Sequence, residues 1–329
     1  MLNTKLITAI NNFSTHTVLV VGDVMLDTYY NGKVNRVSPE APVPVLDLAT
    51  VTHKLGGAAN VAYNLKALQA RTILLSVVGN DTTAQELDTL LHEHTIEAHL
   101  IIDESRCTTQ KTRYIAQQSQ LLRVDKEDVQ PISQTIENKV IAAFSHLITT
   151  TKIDAVILED YNKGLLTPTL INTIITACNT NNITVLIDPK KDNFFEFKNA
   201  TIFKPNLKEI TEAMHLHSPT ETELKTAAEQ LRTQLNAQLL MVTLADKGIL
   251  LCSAQETKIV PAQKRSVADV SGAGDTVIAT VALSVLQNLS WTEIATLSNL
   301  AGGAVCEKMG VIPINCAELI DEIKKNVVQ

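Results

Sequence analysis

The chain has 329 residues, 45% of them apolar and 19% charged, with a formal charge of −7 and a pI near 5.6. Such a composition supports a substantial core and excludes a disordered chain. The acidity excludes a broad nucleic-acid-binding face, and it means that any anionic ligand needs cations gathered locally.

Cys107, Cys178, Cys252, Cys306 and Cys316 are scattered, with no C-x-x-C spacing, and read as buried thiols in a reducing compartment. No apolar run is long enough to span a bilayer. Residues 1–13 have the pattern of a short amphipathic helix and lack the apolar core and cleavage site of a signal peptide. The expectation is a cytoplasmic protein.

An unbroken apolar run at 18–21, closed by Gly22-Asp23, reads as a buried parallel strand. Short β-like stretches follow at 28–34 and 43–48. Between and beside them Pro39, Pro42 and Pro44 forbid helix and favour extended edge structure. This predicts an excursion from the main sheet. Gly56-Gly57-Ala58-Ala59-Asn60 opens a helix running to about 69, followed by a strand at 72–78, a helix at 82–94 and a strand at 98–102. The stretches 108–116 and 120–124 read as a hairpin around Gln117-Gln118-Ser119. This second excursion could pair with the first as a small separate sheet.

From 132 the alternation is regular. A helix runs to about 147, and a strand at 155–158 ends in Glu159-Asp160. A helix at 168–178 leads to a strand at 184–187 ending in Asp188-Pro189-Lys190. A strand at 201–203 enters Lys204-Pro205-Asn206 and a helix, and a further helix at 221–235 precedes strands at 239–243 and 249–252. Three helices close the chain. The pattern predicts an α/β fold: a mostly parallel sheet with helices on both faces, and ligands bound outside the carboxyl ends of the strands.

Two stretches carry chemistry. The first is Asp269-Val270-Ser271-Gly272-Ala273-Gly274-Asp275-Thr276, just before a strongly helical segment. It reads either as a Gly-rich turn with an acid in the first helical turn, or as an anion hole with a base beside it. The second is Asn206-Leu207-Lys208-Glu209. It reads either as an N-cap with its reciprocal Glu, or as side chains organising a hydrated Mg²⁺ on nucleotide phosphates. The familiar nucleotide fingerprints are missing. Val277 stands where G-x-G-x-x-G needs its third glycine, and no G-x-x-x-x-G-K-[ST] occurs. No histidine pair has zinc spacing with further ligands.

Gly56-Gly57-Ala58-Ala59-Asn60, Asn206-x-x-Glu209 and Gly272-Ala273-Gly274-Asp275, in that order, resemble the ribokinase-like (PfkB) sugar kinases. The resemblance covers nearly the whole chain and includes the two β excursions, at about 28–50 and 103–126, which form a lid in that family. Within the family it is closest to the kinase domain of bacterial heptose-7-phosphate kinases. The stretches that carry this are Gly22-Asp23-Val24-Met25-Leu26-Asp27, Ser38-Pro39-Glu40-Ala41-Pro42-Val43-Pro44, Gln120-Leu121-Leu122-Arg123-Val124-Asp125 and Asp188-Pro189-Lys190.

The resemblance implies a role for each matching position. Asp275 is the catalytic base, and the amides of Gly272, Ala273 and Gly274 form the anion hole. Asp27, Gly56, Gly57 and Asn60 hold the sugar. Asn206, Leu207, Lys208, Glu209 and Lys190 belong to the ATP and Mg²⁺ region, with Mg²⁺ held through water by Asn206 and Glu209. Thr243, Gly248, Asn299 and Gly310 match nucleotide-pocket positions. Asp269 and Val270 fall where many relatives bind a monovalent cation such as K⁺. The family often has Thr-x-Gly-x-x-Gly where this chain has Thr243-Leu244-Ala245-Asp246-Lys247-Gly248. Ala245 restricts positive φ and puts the shape of that loop in question.

The implied reaction is ATP-dependent phosphorylation of the anomeric hydroxyl of D-glycero-β-D-manno-heptose 7-phosphate, on the route to ADP-heptose. The two-domain form of that enzyme adds a nucleotidyltransferase, whereas this chain ends at Gln329 and would be a stand-alone kinase domain. The 7-phosphate needs cations, for which Arg36, Lys111, Arg113, Arg123 and Lys163 are candidates; Arg113 and Lys163 are expected to hold it. The lid implies a homodimer by analogy. The competing classes are another sugar or nucleoside kinase of the same fold, a silent sugar-binding regulator, and an NAD-binding oxidoreductase. The intact Asp275, Asn206 and Glu209 argue against the regulator, and the missing fingerprint argues against the oxidoreductase.

Overall fold

A computed structural model describes residues 2–117 and 119–325. The tip of the second excursion, at Gln118, lies outside the described residues. The chain begins with α1 (Leu2–Asn11) and β1 (Thr17–Gly22), then β2 (Val24–Val37), β3 (Pro44–Gly57), α2 (Ala58–Ala67), β4 (Arg71–Val78), α3 (Thr82–Glu93) and β5 (Glu97–Ile102). Next come β6 (Gln110–Ala116), β7 (Ser119–Lys126), α4 (Gln134–Thr150), β8 (Ala155–Glu159), α5 (Pro168–Thr180), β9 (Thr184–Asp188), β10 (Ile202–Phe203) and α6 (Leu207–Ala213). The last part holds α7 (Glu221–Leu235), β11 (Leu239–Thr243), β12 (Ile249–Ser253), β13 (Thr257–Val260), α8 (Ala273–Val285), α9 (Trp291–Cys306) and α10 (Cys316–Lys325).

Among the described residues the main sheet has the order β13-β12-β11-β10-β9-β8-β1-β4-β5. It is parallel except where β12 pairs antiparallel with β11 and β13. Strands buried on both faces need apolar residues at every position, which is why they read as unbroken runs. In β1, Val18 and Val20 join the core beneath α1, α2, α8 and α9, whereas Leu19 and Val21 join the core beneath α4, α5 and α7. The two-residue period of the strand thus assigns its side chains to two separate cores. Among the described residues no helix is long and apolar enough to cross a membrane.

The excursions form a second sheet of order β3-β2-β6-β7. β2 and β3 are 14 residues each, far longer than the stretches 28–34 and 43–48 expected from the sequence. Their outer halves are largely solvent-exposed, so no apolar alternation marks them. Register shifts at Asn31/Gly32 and Val34/Arg36 break the period further. The prolines sit at the turn of this ribbon, and Ser38 N–H donates to the Val43 carbonyl at 2.9 Å to close it. The ribbon rises directly from the carboxyl end of β1, so its base borders the rim where β8 and β9 also end.

Candidate active site

The octapeptide forms the entrance to α8. Gly272 is the N-cap, with φ 77°, a conformation that disfavours any side chain. The Ala273 N–H donates to the Val270 carbonyl at 3.3 Å, and the amides of Gly274 and Asp275 have no acceptor among the described residues. Apart from its chain neighbours and the backbone of its own helix turn, a Cβ built on Gly274 would meet nothing within 4 Å among the described residues. Two free amides at the positive end of a helix, beneath open space, make an anion-binding surface.

Asp275 is buried, at 6% exposure. Its Oδ2 accepts a hydrogen bond from Asn60 Nδ2 at 2.6 Å, and its Oδ1 accepts one from the Tyr161 hydroxyl at 3.1 Å. Asn60 is held in turn by its neighbours. Asn64 donates to the Asn60 carbonyl at 2.9 Å, and the Thr276 hydroxyl donates to Asn64 Oδ1 at 2.6 Å. This chain of bonds joins α2 to α8 and fixes the carboxylate. Burial pushes the Asp275 pKa up to about 6; nearby Asp188 adds to the rise, and the Asn60 and Tyr161 hydrogen bonds and Lys204 oppose it.

Behind Asp275 lies a cluster that sequence reasoning did not assemble. Carboxylate oxygens of Glu159, Asp188 and Asp275 lie within 4.8 Å of one another. Glu159 is fully buried, and among the described residues neither of its carboxylate oxygens has a hydrogen-bond partner. Burial, then Asp188 and Asp275, hold its pKa well above the usual carboxylate range. Lys204, 2% exposed, pairs with Asp188 at 2.8 Å. These residues come from the carboxyl ends of β8, β9 and β10 and from the start of α8. The only sequence signal for them was the polar residue closing each strand. Hard oxygen donors with unsatisfied lone pairs suit a divalent cation.

Asn206 and Glu209 form a complete capping box at the start of α6. Asn206 Oδ1 accepts from the Glu209 amide at 2.9 Å, and Glu209 Oε2 accepts from the Asn206 amide at 2.8 Å. The other Glu209 oxygen pairs with Lys190 at 2.6 Å, and the Lys190 ammonium lies 5.2 Å from the centre of the Tyr161 ring. Burial alone would lower the Lys190 pKa, but Asp188, Glu209 and Glu159 raise it. Lys190 therefore links the cap to Tyr161 and so to Asp275. A contact to Mg²⁺ through water would leave the cap intact. Leu207 packs against one core, and Lys208 is exposed beside Glu212 at 3.7 Å.

Thr243 stands beside this cap, its backbone bridged to Asn206. Gly248 ends the turn after β11, with φ 101°. Asn299 spends its side-chain amide on the carbonyls of Val260 and Pro261, at 3.0 and 3.3 Å, tying α9 to the end of β13. Asp269 accepts from the amides of Ser271 and Gly310, at 2.9 and 3.0 Å, which joins the two loops around the anion-binding surface.

On the lid side, Asp27 is buried and its Oδ1 accepts from Arg113. A Cβ at Gly56 would lie 2.7 Å from Asp27 Oδ2, so the glycine makes room for that carboxylate. Gly57 is the N-cap of α2 and places Asn60 in its first turn. Lys163 pairs with Glu127 at 2.9 Å. Asp23 anchors this side: its carboxylate accepts from the amides of Tyr161, Lys163 and Leu165 at 2.9, 3.0 and 3.2 Å. Of the other lid cations, Arg36 is exposed, and Arg123 pairs with Asp125 at 3.0 Å.

The pfkB family carbohydrate kinase model matches residues 15–317. The bifunctional protein HldE of Helicobacter pylori is 40% identical over 294 residues, covering 89% of this chain and 63% of that protein. The protein of the same name from Caulobacter vibrioides is 41% identical over 310 residues, covering 93% of this chain and 63% of that one. The chain thus spans less than two thirds of the length of these curated relatives.

Among solved structures, Escherichia coli phosphofructokinase-2 in complex with potassium superposes with a TM-score of 0.78 at 17% identity, covering 94% of this chain and 98% of that one. Arabidopsis thaliana ribokinase complexed with ribose and ATP gives 0.72 at 16% identity, covering 94% and 99%. At these identities the structures speak to the fold alone. With a ribokinase-like sheet and lid, and a family match over nearly the whole length, the chain belongs to the pfkB family of carbohydrate kinases.

Proposed function

We propose that this chain transfers the γ-phosphoryl group of ATP to the anomeric O1 of D-glycero-β-D-manno-heptose 7-phosphate, giving the 1,7-bisphosphate used to make ADP-heptose. The observation that carries the phosphoryl-transfer reading is the buried Asp275, its pKa raised to about 6, beside the free amides that open α8. The choice of sugar rests on the sequence resemblance and on the cations at the base of the lid.

In this reading Asp27 accepts hydrogen bonds from sugar hydroxyls, and Asn60 aligns Asp275 with O1. Asp275 takes the O1 proton as the oxygen attacks phosphorus. The amides of Gly274 and Asp275 receive the charge that spreads over the transferring phosphoryl oxygens. Lys190 and Lys204 keep the acidic rim from repelling the nucleotide phosphates. Glu159 and Asp188, with Asn206 and Glu209 through water, would hold a Mg²⁺, which would supply positive charge against the nucleotide phosphates. Thr243, Gly248, Asn299 and Gly310 would border the nucleotide, and Asp269 would contribute oxygens to a K⁺ site.

The exposed face of the small sheet supports the reading of a dimer through the lid. Strand register aligns Val51, Tyr30, Tyr114 and Leu122 in one row, with Val124 on the same face. Val51, Leu122 and Val124 are 40%, 55% and 47% exposed, a surface suited to a second copy. We place the enzyme in the cytoplasm, in keeping with its five unpaired cysteines.

The test is ADP release from Mg-ATP across a panel of sugars and sugar phosphates. The heptose 7-phosphate should give the highest kcat/KM. A tenfold preference for any other acceptor would reject the substrate assignment.

A further inference from the structure

The cations around the rim are unequally committed. Lys190 pairs with Glu209 at 2.6 Å, Lys204 with Asp188 at 2.8 Å and Arg265 with Glu307 at 3.1 Å. Lys54, half-buried on β3, makes no ion pair with any described residue. Its ammonium donates one long hydrogen bond, 3.3 Å, to the Val311 carbonyl and lies 5.6 Å from the centre of the Tyr29 ring. A neutral carbonyl at that distance holds an ammonium weakly, and an anionic oxygen competes well for it.

Two glycines set where that ammonium stands. A Cβ at Gly310 would lie 3.0 Å from Lys54 Nζ, and one at Gly272 would lie 3.1 Å from Val311 Cγ1. Gly310 leaves room for the ammonium, and Val311 is the single step between it and the N-cap of α8. The Gly310 amide donates to Asp269 at 3.0 Å, as the Ser271 amide does at 2.9 Å, so the loop under Lys54 is tied to the loop that enters α8. Lys54, Val311 and Asn60 also line one cavity of about 260 Å³, and Asn60 is the residue that donates to Asp275 at 2.6 Å. The ammonium thus stands at the edge of the anion-binding surface, on the side of Asn60.

β3 is the outer strand of the lid, on the side away from β6 and β7. Register sets Lys54 directly across from Asp27, and laterally paired residues share a face. One face of the ribbon therefore presents a carboxylate for the sugar and, next to it, an ammonium turned toward the loop at 310–311. A sugar held by Asp27 fixes the strand pair from which that ammonium reaches.

We propose that Lys54 is a further catalytic residue of the phosphoryl transfer: its ammonium leaves the Val311 carbonyl and donates a hydrogen bond to an equatorial oxygen of the transferring group. This inference rests on the reading of the chain as a sugar kinase, and it adds a third donor to the amides of Gly274 and Asp275. In the step, the bond from the sugar oxygen to phosphorus forms as the bond from phosphorus to the β–γ bridging oxygen breaks. ADP leaves with that electron pair, and the sugar proton goes to Asp275. Lys54 donates a hydrogen bond and gives up no proton. The amides bring partial charges to the transferring oxygens, and the ammonium brings a full one, in an acidic chain whose cations must be gathered locally.

The experiment compares wild type, Lys54→Met and Lys54→Arg in phosphorylation of the heptose 7-phosphate by Mg-ATP. Calorimetry then measures binding of Mg-ADP alone, and of Mg-ADP with aluminium fluoride and the sugar phosphate. Aluminium fluoride mimics the planar phosphoryl group, which ADP alone lacks. Lys54→Met should lower kcat by roughly 10²–10³-fold, the range for one lost donor to a developing charge, with KM for the sugar within about threefold of wild type. Binding of the aluminium fluoride complex should weaken by the same factor, and binding of Mg-ADP should not change. Lys54→Arg should restore most of both losses. A near-wild-type kcat in Lys54→Met, or a loss confined to KM for the sugar, overturns the role of Lys54 and leaves the kinase reading standing. A wild-type protein that phosphorylates no sugar or sugar phosphate overturns both.

Discussion

In the proposed mechanism Asp275 must be a stronger base than a free aspartate and still be ionised when the sugar arrives. Burial raises its pKa to about 6, while Asn60 and Tyr161 donate hydrogen bonds that favour the charged form. In that mechanism the charged form is the active one. kcat/KM should therefore fall about tenfold per unit as pH drops below about 6, and level off about a unit above it. The sugar's own phosphate also titrates near pH 6, so the limb alone is ambiguous. Asn60→Ala resolves this. Loss of the Asn60 bond should raise the Asp275 pKa by roughly one unit and carry the limb with it, since a bond to a charged acceptor contributes about 1.5–3 kcal/mol and one pKa unit is about 1.4 kcal/mol. A limb that stays in place in Asn60→Ala would assign it to the substrate. Asp275 and Asn60 were visible in the sequence because glycines mark both helix entrances. Glu159, Asp188, Lys204 and Tyr161 were not assembled there, because they meet only when separate strand ends are brought side by side.

At the scale of elements, the doubly buried strands were legible because runs such as 18–21 and 184–187 admit almost no polar residue. The capping box at Asn206 was legible because its three-residue spacing is local. The long ribbons of the lid were not, because their outer halves bury little and leave no period to read. The loop after β11 is a different case. Ala245 takes φ 53°, the left-handed region that an alanine enters only at a cost. The glycine of the family pattern would remove that strain. Ala245→Gly should stabilise the protein by about 1 kcal/mol or less, part of the gain being offset by the freer unfolded chain. Thermal denaturation checks this, and a lower Tm would mean that the alanine methyl packs usefully.

For the molecule as a whole, the lid has two unlike faces. One carries Lys54, Asp27, Lys111 and Arg113 toward the rim, and the other carries Val51, Leu122 and Val124 into solvent. Strand period alone sorts them, since one residue of slip would exchange the faces. If the apolar face joins two copies, light scattering should give a dimer and Leu122→Asp should give a monomer. A wild-type monomer at micromolar concentration would remove the lid from the assembly.

In the proposed mechanism Asp275 is the group that takes the sugar proton. The most direct measurement is single-turnover phosphoryl transfer from Mg-ATP to the heptose 7-phosphate by wild type and Asp275→Asn, with sugar binding followed by calorimetry. The rate should be lower by roughly 10²–10⁴-fold in the variant, with sugar affinity within a few fold of wild type. A variant that binds the sugar and transfers phosphate at near the wild-type rate would contradict it.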